Sequence, residues 1–163
     1  MARTDSFFIR ATTLTNGLTF NESAIDLGSY VDALGKSVLR IHNISVQYGV
    51  PNTAYAGAPN SSTSSSFQLT TQSQTALQAI SNRSLISSGT LSIATGATEV
   101  VMMDSGLDVG PQDWTDGYLI AVEQLYLGVD QTFDHVSQVS IVLECTVETM
   151  TQAAAMALAL SQQ

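Results

Sequence analysis

Positive charge runs out half-way along this chain. From Ser84 to Gln163 there is no Lys or Arg, while ten acidic residues fall between Glu99 and Glu148. The five basic residues, Arg3, Arg10, Lys36, Arg40 and Arg83, all precede Ser84, and the formal net charge is −9. Nucleic-acid affinity comes mainly from Lys and Arg displacing counterions, so direct, sequence-specific nucleic-acid binding is not expected. An acidic surface is equally ill suited to anionic lipid headgroups.

Other shortages narrow the field further. Cys145 is the sole cysteine, which excludes an intrachain disulfide. With Val142, Leu143 and Val147 around it, it reads as a buried structural thiol rather than a nucleophile. The longest apolar run, Ala153 to Leu160, is too short to span a bilayer, and the first ten residues hold no stretch of signal-peptide length. The Asn-x-Ser triplets at Asn21, Asn43, Asn60 and Asn82 therefore read as by-products of a Ser-rich chain rather than glycosylation sites. Catalytic patterns are missing as well. There is no Gly-x-Ser-x-Gly elbow, no Walker loop and no dinucleotide glycine motif. His42 and His135 have no metal-ligand companion at i+2 or i+4. Glu144 and Glu148 sit two steps apart on one strand face and read as a solvated or interface face, not as an acid/base pair. The sequence predicts a protein that is not an enzyme and that carries no cofactor beyond a candidate calcium ion.

Uncharged polar residues fill the deficit. Charged residues make up only 12% of the chain, whereas 20 Ser, 18 Thr, 12 Gln and 6 Asn are present. Thr favours strands, and Ser and Asn favour turns, so the composition points to an all-β protein. A chain of 163 residues fits one domain able to bury roughly 70% of its unfolded surface. Strands are expected at Phe7 to Thr13, Leu18 to Phe20 (after a turn at Asn16-Gly17), Ala24 to Val31 and Val38 to Tyr48. In the last of these the apolar parity changes between Ile41 and Ile44, which predicts a β-bulge near His42-Asn43. Residues 49 to 66 read as an irregular loop, either solvated or ordered against a neighbouring subunit. Further on come a short strand at Phe67 to Thr71, a helical turn or two within Ser73 to Ser81, and a strand pair broken at Ser88-Gly89. Glu99 to Met103 reads as a short strand buried on both faces, and Tyr118 to Val129 as a single long strand. The clearest strand is the last, with Ile141, Leu143, Cys145 and Val147 on one face. About eight strands with no helical rhythm between them predict an antiparallel β-sandwich of jelly-roll type over residues 1–150. Residues 151–163 form an Ala-rich helix that packs on the domain or on a neighbouring subunit.

Two sets of residues stand out as candidate sites. Asp104, Asp108, Asp113 and Asp116 lie in one acidic stretch and could offer calcium its oxygen ligands, although the spacing is not that of an EF-hand and Asp and Gly are also ordinary turn formers. Trp114, in the same stretch, either plugs the end of the sandwich or anchors an interface. Met156, Leu158 and Leu160 are the large apolar residues of the C-terminal helix and are candidate subunit contacts.

The layout of Ile25-Asp-Leu-Gly-Ser-Tyr-Val31, Leu39-Arg-Ile-His-Asn-Ile-Ser-Val46, a Ser-rich loop and a closing strand from Val139 to Val147 resembles single-jelly-roll capsid proteins of icosahedral DNA viruses of archaea and bacteria. The resemblance implies a virion subunit, made in the host cytoplasm and present in many copies in a shell. It also allows a second capsid protein or an internal membrane as neighbours. Many capsid proteins that package a naked genome carry a basic N-terminal arm; here only Arg3 and Arg10 precede Lys36. Two alternatives accompany this expectation: a ring-forming, tail-tube-like structural protein, and a small calcium-dependent sugar- or ligand-binding sandwich.

Overall fold

The computed structural model describes residues 3–15, 17–32, 34, 36–51, 59–134 and 136–163. Among these residues nine strands follow in chain order: β1 (Phe7–Thr15), β2 (Asn21–Asp26), β3 (Ser37–Tyr48), β4 (Ser62–Thr70), β5 (Leu85–Thr95), β6 (Val100–Val109), β7 (Tyr118–Ile120), β8 (Gln124–Gln131) and β9 (Ser137–Thr149). A 3-10 turn at Pro111–Asp113 precedes β7, and helix α1 (Gln152–Ser161) closes the chain. Among the described residues, no helix is long and apolar enough to cross a membrane.

The strands form two antiparallel sheets, ordered β1-β9-β3-β7 and β2-β8-β4-β5-β6. The pairings nest: β1 with β9, β2 with β8, β3 with β7, and β4 with β5. The chain is thus one long two-ply ribbon, doubled back at β4–β5 and rolled so that successive plies fall in alternate sheets. Pairing of β3 with β9 and of β4 with β8 closes the roll. This is the jelly-roll winding, with β6 added beyond β5 as a ninth strand.

The space between the sheets is packed with aliphatic and aromatic side chains. Leu27, Leu39, Ile41, Phe67, Leu69, Leu127, Ile141 and Leu143 are all buried in one cluster. Polar contacts lace one end of this core: Thr13 Oγ1 donates to the Leu127 carbonyl, and Thr15 Oγ1 donates to Gln131 Oε1 at 2.7 Å. The predicted bulge in β3 is present, with the register against β9 shifting between Ile41 and Asn43. His42 is the extra residue, which lets both Ile41 and Ile44 point inward.

Several strand expectations are corrected by tertiary context. Leu18 and Thr19 lie in a bend, and β2 ends at Asp26, where Asp26 Oδ1 accepts from the Gly28 N–H and turns the chain. Ser62 to Ser66 belong to β4 instead of the preceding loop, because β5 pairs with them along their whole length. Asn16, His135 and residues 52–58 of that loop lie outside the described residues. The segment Ser73 to Ser81 is not helical; it is held by Gln68, buried on the outside of its sheet, whose Oε1 accepts from Gln78 N–H and whose Nε2 donates to Ala76 O. β5 runs unbroken through Ser88-Gly89. A Cβ at Gly89 would meet the Gly106 carbonyl at 2.5 Å and the Phe67 ring at 2.8 Å, so close packing, not a turn, explains this glycine. The long strand expected from Tyr118 to Val129 is two strands, broken at 121–123 where the chain passes between sheets.

Helix α1 starts at Thr151, whose Oγ1 accepts from the Ala154 N–H. Its Ala155 is fully buried against Val38 and Ala121. Beyond it, Gln162 accepts from the Ala121 N–H through Oε1 and donates to the Leu119 carbonyl through Nε2. The Thr71 hydroxyl in turn donates to the Gln162 carbonyl. The C-terminal turn is thereby tied to both sheets.

Candidate interaction surface

The four-stranded sheet carries a buried charge cluster where the sequence suggested a solvated or interface face. Glu148 is 2% exposed, not part of a solvated face. Its Oε1 accepts from Arg40 Nε at 2.6 Å and its Oε2 from Arg40 Nη2 at 2.9 Å, a two-pronged pair; Arg3 Nη2 adds a contact at 2.8 Å from the rim. The remaining Arg40 nitrogen donates to the Asp116 carbonyl. The Arg40 hydrogen bond holds the Glu148 carboxyl below its ordinary value, against the opposing effect of burial. Arg40 is correspondingly held more firmly protonated. Strand pairing builds this cluster: Arg40 and Val38 on β3 face Thr146 and Glu148 on β9. Nearby, His42 Nε2 shares a hydrogen bond with Thr146 Oγ1, and Asn43 donates to Glu144. Burial, reinforced by the Glu144 charge, pushes the Cys145 thiol up to about 12.

The four aspartates do not form one acidic loop. Asp104 and Asp108 lie on β6, the edge strand, and Asp108 Oδ2 accepts from the Ser88 hydroxyl. Asp113 ends the 3-10 turn and is engaged by the Gly110 N–H at 2.7 Å. Asp116 offers Arg40 its backbone carbonyl. Among the described residues, no three His, Cys, Asp or Glu side chains gather closely enough to hold one metal ion.

Trp114 does not plug the sandwich; it is 53% exposed. It stands at a depression of about 400 Å³ that Arg40, Arg83, Tyr118, Leu158 and Gln162 also line. Met156 and Leu160 point to solvent, whereas Leu158 is half-buried against the Val38–Ala155 cluster.

The largest departure from the sequence reading is at β6. Val100, Met102 and Met103, expected inside, are among the most exposed apolar side chains of the molecule, with Met102 59% and Met103 67% exposed. The reason is a count of layers. Five strands face four, so the inner face of β6, with Met103, overhangs the covering sheet and only its Leu107 end reaches the core, while Met102 lies on the outer face that no layer covers. On the other flank, edge strand β1 exposes Phe8 and Leu14. A groove of about 510 Å³ runs there between β1 and β2, lined by Phe8, Arg10 and Thr12 on one side and Ser23, Ile25 and Asp26 on the other. Nothing in local hydropathy marks β6 as an edge. The available signal was arithmetic: a ninth strand in a roll that needs only eight.

Neither the models of known protein families nor the curated proteins include a match to this chain.

Proposed function

We propose that the protein is a structural subunit that assembles with copies of itself into a virion shell. The observation that carries this reading is the pair of exposed apolar edges: Phe8 and Leu14 on β1, and Val100, Met102 and Met103 on β6. Exposed apolar side chains along an edge strand offer a partner surface to cover, and sheet edges supply unpaired backbone groups to go with it. Jelly rolls serve chiefly as capsid, lectin and cupin domains. Among the described residues, a core filled with aliphatic side chains leaves no ligand cavity between the sheets, and the exposed apolar edges favour the first of these. The low charge agrees with a surface covered by other copies. Size-exclusion chromatography with light scattering, and negative-stain microscopy of the peak, tests the proposal. Pentamers, hexamers or closed shells are expected. Stacked tubes would move the assignment to a tail-tube protein, and a monomer at every concentration would overturn assembly by this chain alone.

A further inference from the structure

We propose that β6 of one copy seats in the flank groove of the next, running antiparallel to β1, so that copies join head to tail. The inference rests on the self-assembly reading and names the surfaces that make the contact. β1 lies over β2 and β8, so the groove and the overhanging β6 occupy opposite flanks of the sandwich. One flank protrudes and the other recedes. A surface that meets a different surface on its neighbour makes a heterologous contact, which closes into rings or extends into a lattice.

Charge favours β1 as the partner strand and, together with Gly106, points to the register. The outward face of β6 carries Met102, Asp104 and Gly106. β2 is a poor mate because it offers Glu22 and Asp26, whereas β1 offers Arg10. A symmetric pairing of two β6 strands about Gly106 would set Asp104 against Asp108, and one about Asp104 would set that residue against itself; like charges directly opposite destabilise a sheet. Antiparallel pairing with Arg10 opposite Asp104 brings Thr12 opposite Met102 and Phe8 opposite Gly106. These positions fall within Met102–Leu107, the stretch between the two register shifts of β6 against β5.

Gly106 supplies an independent argument. It sits in mid-strand with no positive φ, and a Cβ built there would meet nothing within 4 Å. Nothing inside the subunit therefore calls for glycine, which weakens a strand and often marks close approach by another group. In the stated register the Phe8 ring of the neighbour lies across that bare backbone, an arrangement that stabilises glycine in sheets. Within a single subunit Phe8 is exposed, with the Arg10 guanidinium 5.8 Å from its ring centre.

Cysteine pairing tests the geometry. Opposed residues in an antiparallel pair have Cα atoms about 4.5–5.5 Å apart, within disulfide range. The double variant Thr12→Cys/Met102→Cys, oxidised at assembling concentration, is expected to give a ladder of linked multimers. The two single variants mixed together should give dimers only, and each alone should give none. Buried Cys145 stays out of the reaction. As a second measurement, Asp104→Arg and Arg10→Asp should each raise the concentration needed for assembly about tenfold or more, and their combination should restore it. Assembly by the unmodified protein without a ladder, or self-linking by the Met102→Cys variant alone, would overturn this contact while leaving self-assembly intact. Failure of the unmodified protein to assemble at all would remove both.

Discussion

β9 and β6 each contribute six apolar residues to the fold, yet they end in opposite environments. β9 is paired on both sides, by β1 and by β3, and the facing sheet covers Val139, Ile141, Leu143 and Cys145 completely. β6 is paired on one side only; Met103, on its inner face, overhangs the layer that would have covered it, and Met102 lies on its outer face, so both stand in water. Apolar content is thus no guide to burial by itself; position in the sheet decides. An apolar central strand holds the subunit together, whereas an apolar edge strand is surface left for a partner.

The sharpest way to break the contrast is at the charge cluster that β9 shares with β3. Glu148→Ala leaves the Arg40 guanidinium buried without its partner and should cost about 3–5 kcal/mol, read from denaturant midpoints. Replacing both partners, Arg40→Met with Glu148→Leu, should recover most of that loss. Next comes a matched pair of truncations. Ile141→Ala should destabilise the subunit by about 2–5 kcal/mol. Met103→Ala should stay within about 0.5 kcal/mol on the isolated subunit while weakening assembly. The glycines give a third contrast: Gly89→Ala drives a methyl into the Gly106 carbonyl and should cost about 1–3 kcal/mol, whereas Gly106→Ala should leave subunit stability nearly unchanged.

These contrasts also show what could be read from residues alone. The bulge at His42 was legible because Ile41 and Ile44 must both point inward, and one extra residue is the simplest way to do it. The alternation of β9 was legible for the same reason. The burial of Glu148 was not, since it depends on Arg40 arriving from a strand 108 residues away in sequence. Nor was the exposure of Met103, because whether the inner face of a strand is covered depends on how many strands lie opposite. The four aspartates looked like one site because they are close in sequence, but a strand, a 3-10 turn and a loop hold them apart.

Two smaller effects follow. Because Arg40 and Arg3 hold the Glu148 carboxyl below its unfolded value, their stabilisation is fully present above an unfolded carboxylate pKa of about 4.3. It is lost as pH falls through the lower folded value. Unfolding midpoints should therefore drop on acidification below that range, and the drop should shrink in Glu148→Gln. Among the described residues no three acidic side chains gather, so calcium added to the purified protein is expected to leave the melting temperature unchanged, and a rise would bring back the calcium-dependent ligand-binding alternative.

Hydrogen exchange measured on dilute subunits and on the assembled particle puts the two strands to the most direct comparison. Amides of Val100–Val109 should become protected on assembly while those of Ser137–Thr149, already slow, do not change. Particles in which the β6 amides exchange as fast as in the free subunit would contradict a role for that edge in assembly.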